Sequence, residues 1–163
     1  MFDWYSERAR RVIFFARLES GARGAEMIDL DDLITALIME DQNRTSDALL
    51  QLRGGGIPVY PGSTRHQPFL PADVATILLE KIQGPMPRSS SIPTSADMGI
   101  SSVLRQTLAA ASDLRERLQS EQVTPLHLLA VVLAGSHPGV QMLRDAGITE
   151  EKVIGVLRSE GQL

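Results

Sequence analysis

Three aspartates stand close together at Asp29, Asp31 and Asp32, and three histidines are scattered at His66, His127 and His137. Carboxylates and imidazoles hold divalent metals and move protons, so these six residues are the first candidates for chemistry. Their spacing argues against a metal. The aspartates lack the glycine and distal glutamate of a calcium loop, and the histidines have no H-x-x-x-H pattern. Asp29 reads instead as a helix N-cap, with Asp31 and Asp32 at the positive end of the helix dipole. His127 falls within an expected helix. Ser89-Ser90-Ser91 has no nucleophile-elbow motif around it. Gly54-Gly55-Gly56 is followed by Ile57-Pro58, with no lysine to reach a phosphate, so it is no nucleotide loop. We expect no cofactor, no metal and no enzyme.

Composition narrows the remaining classes. The chain has 163 residues, 43% apolar and 22% charged, enough for one ordinary domain or two small ones sharing a core. Its net charge of -4 suits a nucleic-acid binder poorly, because phosphate neutralisation supplies most of that affinity. Pro138 to Leu157 could pass for a helix-turn-helix, but its second helix carries Glu150, Glu151 and Glu160 against Lys152 and Arg158. There is no cysteine, which excludes disulfides, thiolate zinc sites and cysteine nucleophiles. No apolar run approaches the ~20 residues of a membrane span. We expect a soluble cytoplasmic protein that binds neither nucleic acid nor membrane.

The elements that position these residues are helical. From Tyr5, apolar or small residues recur at Ala9, Val12, Ile13 and Ala16, one face of a helix with Ser6 as its cap. Arg8, Arg10, Arg11 and Arg17 then form a solvated face. Further helices are expected from Leu30 to about Met39, from about Ser46 to Arg53, and from Ala72 through Ile77, Leu78 and Ile82. A long one carries Ile100, Val103, Leu104, Leu108, Ala111, Leu114 and Leu118. Thr124-Pro125 opens the next, Pro138 a short one ending near Gly147, and Thr149 the last. No stretch makes a convincing strand.

These are about eight helices, used as four and four. A shift of 95 residues lays Ser6, Arg10, Ala16, Glu26 and Leu33 on Ser101, Arg105, Ala111, Glu121 and Leu128. A shift of 91 then lays Gly56-Ile57 on Gly147-Ile148, a glycine where a helix end commonly needs positive φ. We expect an all-α fold of two tandem four-helix repeats, packed as one pseudo-twofold unit. Repeat one spans residues 1–83, a proline- and serine-rich linker 84–95, and repeat two 96–163. Pro58 to Pro71 has no counterpart in the second repeat; it reads as an exposed loop or as an extra contact surface.

The opening Met1-Phe2, then Tyr5-Ser6-Glu7-Arg8-Ala9-Arg10-Arg11-Val12, resembles the start of the N-terminal domain of the bacterial Clp ATPases, especially the ClpC type. That family builds this domain from two copies of a four-helix motif. Its isoleucine-glycine-threonine-glutamate-histidine-leucine-leucine run matches Ile28-Asp29-Leu30-Asp31-Asp32-Leu33-Ile34 and Val123-Thr124-Pro125-Leu126-His127-Leu128-Leu129. Leu143 to Ile148 resembles its leucine-x-x-x-glycine-isoleucine helix end. The resemblance spans nearly the whole chain, apart from the linker and the Pro58 to Pro71 insertion.

The resemblance implies a non-catalytic protein-interaction module. Its partners would be Clp ATPase or peptidase subunits, Clp adaptors or protein substrates, with the chain serving as an accessory subunit. A substrate-receptor domain excised from a full ClpC- or ClpA-type ATPase, or a decoy regulator competing for adaptors, are the alternatives. No ATPase motif is present, and we expect a free-standing protein. Some family members recognise phosphorylated arginine through acidic residues. The family's glutamate falls on Asp31 in the first repeat and on Leu126 in the second, and a leucine cannot pair a guanidinium. The candidate protein-binding residues are Phe2, Trp4, Tyr5, Ser6, Arg10, Asp31 and Asp32. Trp4 and Tyr5 are read either as packing anchors of the first helix or as an exposed docking spot.

Overall fold

A computed structural model describes residues 2–44, 66–86, 89, 90, 92 and 98–161. The helix expected from Ser46 to Arg53 lies outside the described residues. The elements are α1 (Glu7–Ala22), β1 (Met27–Ile28), α2 (Leu30–Asp41), α3 (Ala72–Gln83), β2 (Gly99–Ile100), α4 (Ser102–Leu118), α5 (Pro125–Leu133), α6 (Pro138–Asp145) and α7 (Glu150–Gly161). Most of the described residues are thus helical, as the periodicity predicts.

The expectation of no strand needs correction. β1 and β2 pair in parallel, with Met27 opposite Gly99 and Ile28 opposite Ile100. A second parallel bridge joins Tyr5 to Val123. Ile100, expected to begin the long helix, is therefore a strand residue, and the helix starts at Ser102. Strands of two residues carry no sequence period, so nothing in the pattern announces them.

The bridges follow the repeat. Moved by 95 residues, Tyr5 falls on Ile100 and Ile28 on Val123. In each case the segment before one repeat's first helix pairs with the segment before the other repeat's second helix. Ser6 N–H donates to Val123 O at 2.9 Å, and Ser101 N–H donates to Ile28 O at 2.9 Å. Two compact units result: residues 1–10 with 102–163, and residues 11–101. Repeats are units of sequence, whereas these are units of packing.

The helix ends repeat as well. Ala25 N–H donates to Ser20 O at 2.9 Å after α1, and Ser120 N–H to Arg115 O at 3.0 Å after α4. Each of these ends turns through a left-handed residue, Gly24 at φ +75 and Gln119 at φ +54. Gly147 closes α6 at φ +86, as expected of a glycine just past a helix.

Burial shows which faces do the packing. On α1, Ala9, Val12, Phe15 and Ala16 are buried, Ile13 is only half-buried and Phe14 is exposed. The apolar stripe is therefore centred one position away from where Ile13 put it. On α3, Leu78, Leu79 and Ile82 are buried while Ile77 is exposed. Leu33 and Leu128, equivalent in the two repeats, are both fully buried. Side chains of that size contribute roughly 2 kcal/mol each when removed from water. The described part of the Pro58 to Pro71 insertion, from His66 on, is tied down rather than looped out. Asn43 exchanges two hydrogen bonds with the His66 backbone, at 2.7 and 3.0 Å. Asp41 accepts the Phe69 and Leu70 N–H groups at 2.8 and 3.0 Å.

Candidate functional site

The candidate residues Phe2, Trp4, Tyr5, Ser6 and Arg10 belong to the unit of 1–10 with 102–163, whereas Asp31 and Asp32 belong to the unit of 11–101. They fall into two groups, one on each unit.

In the first group, the backbone fixes everything else. Val123 N–H donates to Trp4 O at 2.8 Å and Tyr5 N–H to Phe2 O at 3.1 Å. In an extended segment neighbouring side chains point to opposite faces. Tyr5 accordingly turns inward, 2% exposed, and Trp4 outward, 60% exposed. The Tyr5 ring meets Phe2 edge to face, with centroids 4.9 Å apart. Burial pushes the Tyr5 hydroxyl up to about 12. That hydroxyl has no hydrogen-bond partner among the described residues.

The outward Trp4 ring does not stand alone. The Arg115 guanidinium lies 4.5 Å from its centroid, a cation–π contact that holds the indole in place. Arg115 is held in turn by donating to Ser120 O at 3.2 Å. Arg10 is exposed and donates to Phe2 O at 3.3 Å. Ser6 acts as the expected cap: its hydroxyl oxygen accepts the Ala9 N–H at 3.0 Å.

The second group is mostly structural. Asp29 and Asp32 form a reciprocal capping box at the start of α2. The Asp29 carboxylate accepts Leu30 N–H and Ser101 Oγ–H, both at 2.8 Å. Asp32 accepts the Asp29 N–H at 3.0 Å and pairs with Arg23 at 2.6 Å. Burial pushes the Asp32 carboxyl above its usual range, although the Arg23 hydrogen bond, the Asp29 amide and the Arg23 charge all pull the other way. Asp31 is half-buried beside it, and its backbone oxygen accepts the Thr35 hydroxyl at 2.8 Å.

This geometry narrows the candidate list. Asp32 at 1% exposed and Tyr5 at 2% offer no side-chain surface to a partner. Both are removed by the same cause, a residue type suited to binding placed on an inward face. Phe2, Trp4 and Arg10 belong to one unit and Asp31 to the other. Arg115 joins the first group and Arg23 pairs the second, and neither is legible in the sequence. Arg115 lies on α4 and Arg23 in the turn just past α1, and the partner of each lies far along the chain or beyond a turn.

His127 makes the structural hydrogen bonds that the family resemblance implies. It is the return residue of the capping box at Thr124, accepting the Thr124 N–H at Nδ1 at 3.0 Å. Its Nε2 lies 3.0 Å from Ser120 Oγ. With Nδ1 as acceptor, the ring proton sits on Nε2. Burial first, and then the Arg115 charge, lower its pKa to about 4. Among the described residues, no group of three or more His, Asp or Glu is placed to hold a metal ion. No single helix among them is long and apolar enough to cross a membrane.

No protein-family model matches the sequence. No curated protein matches it either. Solved structures do. The N-terminal domain of the caseinolytic protease associated chaperone ClpD from Arabidopsis thaliana superposes with a TM-score of 0.64 at 17% identity, over 100% of this chain and 97% of that one. A chain from structural investigations of a malarial protein secretion system superposes with a TM-score of 0.67 at 14% identity, over 96% and 94%. The chain therefore has the all-helical fold of a Clp chaperone N-terminal domain.

Proposed function

We propose that this chain, having the fold of a Clp N-terminal domain, is a non-catalytic protein-interaction module of the Clp chaperone–protease system. It docks adaptors, protein substrates, or a Clp ATPase or peptidase subunit. The observation that carries this reading is the full-length fold likeness to the ClpD N-terminal domain. The site we assign is the Trp4 end of the unit formed by 1–10 with 102–163, with Phe2 and Arg10 beside it and Arg115 against the indole. An exposed tryptophan fixed by a guanidinium offers apolar contact area with little side-chain entropy left to lose. Arg10 adds a charged rim. Asp31 is a separate candidate on the other unit.

Because the neighbour is itself an N-terminal domain, a receptor domain of a longer Clp ATPase is the second reading. The test is a tagged pull-down of the chain from its own cells, with mass spectrometry of what is retained. Enrichment of a Clp ATPase, peptidase subunit or adaptor is expected, and Trp4→Ala should lose it while keeping the fold. Retention of diverse proteins with no Clp component would overturn the reading.

A further inference from the structure

We propose that Ser89 and Ser90 form a phosphorylation-sensitive strap on the end of α1. The sequence reads this stretch as a linker, yet its described residues are docked. Ser89 N–H donates to Arg23 O and Ile92 N–H donates to Gly21 O, both at 2.8 Å. Gly21 O, in the last turn of α1, also accepts Gly24 N–H at 3.0 Å, and Arg23 O lies just past the helix; a segment from far along the chain supplies each with a donor.

The landing site is shaped for close backbone approach. A Cβ on Gly21 would stand 3.3 Å from Ile92 O. At Gly24, with φ +75, a Cβ would stand 2.4 Å from Ser90 O and 2.9 Å from Ser89 Cβ. No other residue type fits at Gly24 while the strap is down. The other repeat places Gln119 at the equivalent position, with φ +54 and an exposed side chain. The glycine thus belongs to the strap as much as to the turn.

Both serines are exposed although their backbone is docked. Their hydroxyls make no hydrogen bond among the described residues, and Arg88 directly precedes them in the sequence. They are open to a serine kinase using ATP. The serine oxygen attacks the γ-phosphorus, the bond from that phosphorus to the β–γ bridging oxygen breaks, ADP leaves, and the hydroxyl proton passes to the kinase's base. The product carries close to two negative charges against the carbonyl end of α1, where anions are unfavourable. Two cations lie nearby among the described residues: Arg17, whose Nη1 is buried against Gly21 and away from the exposed serine hydroxyls, and Arg23, which is paired to Asp32 at 2.6 Å. Asp32 is buried, so drawing Arg23 away would leave a buried carboxylate uncompensated. The phosphate therefore releases the strap.

The experiment is amide hydrogen exchange on the full chain with phosphoserine installed at position 90. The Ser89 and Ile92 amides should exchange about tenfold faster or more, with the Leu128 amide unchanged. Ser90→Ala should keep both amides protected. Unchanged or increased protection in the phosphoserine protein would overturn the proposal. Should that protein fail to fold, the same measurement on Ser90→Glu decides in the same way, with a smaller expected acceleration. In protein taken from its own cells, the peptide holding Ser89 and Ser90 should carry a phosphoryl group under some growth condition. Its absence under all of them would overturn the regulatory role.

Discussion

The starts of α2 and α5 are equivalent by sequence shift, and both are closed by a reciprocal cap three residues apart, yet the two caps are chemically opposite. At α2 the returning residue is Asp32, an acid bound to Arg23. At α5 it is His127, a neutral imidazole between the Thr124 amide and the Ser120 hydroxyl. Both are 1% exposed, and in both burial is the largest influence on the pKa. The geometry of a cap needs only an acceptor at the right place. What is buried with that acceptor decides how the cap responds to mutation and to acid.

Breaking the acidic cap should have the largest effect. Asp32→Ala removes the Asp29 amide's acceptor and strands Arg23, costing about 3 kcal/mol in denaturant unfolding. His127→Ala should cost less, about 2 kcal/mol, since Arg115 keeps its bond to Ser120 O.

Acid should separate the two caps by sign. Unfolded, His127 takes up a proton near pH 6.5; folded, only near pH 4. Between these values the unfolded chain binds more protons. The His127 contribution is therefore fully present above pH 6.5 and is lost as pH falls, on the order of 3 kcal/mol by pH 4. Asp32 runs the other way, because its folded carboxyl protonates above the unfolded value of 3.8. Its contribution is present below that value and is lost as pH rises through the folded one. Unfolding free energies from pH 7 to pH 4 should show a net fall in the native chain. In His127→Gln most of that fall should disappear.

The turns after α1 and α4 sharpen the comparison with smaller effects. Gly24→Gln must displace the strap and should cost about 2 kcal/mol. Gln119→Gly relieves a left-handed residue with no strap over it among the described residues, and should stabilise by up to about 1 kcal/mol. Thermal melts of the two exchanges check both signs. Smallest is Tyr5→Phe, which removes a buried hydroxyl lacking a partner among the described residues. It should be neutral or stabilising, within about 1 kcal/mol, and a clear loss in the same melts would point to a bound water.

Local chemistry was legible in the sequence and distant chemistry was not. Asp29, Ser6 and Thr124-Pro125 mark their helix starts because a cap acts within three residues. The 95-residue shift carries over even to the hydrogen bonds that end α1 and α4. By contrast, Trp4 and Tyr5 are both aromatic and adjacent, and only the bridge to Val123 decides that one faces out and the other in. Arg115 against Trp4 and Arg23 against Asp32 depend on how helices meet their neighbours, which no local pattern encodes. Asp31 and Asp32 differ in burial because consecutive residues on a helix point in different directions.

The crossed bridges also bear on how such a chain could arise. Each repeat offers one segment before its first helix, at Tyr5 or Ile100, and one before its second helix, at Ile28 or Val123, and among the described residues each pairs with the other repeat's segment. A lone repeat would leave both of its segments without the partners they have here. Two copies satisfy each other whether they are separate molecules or fused. A duplication in the gene would therefore have preserved a pairing that two identical short chains could already make, and the tandem arrangement is the covalent form of a reciprocal exchange.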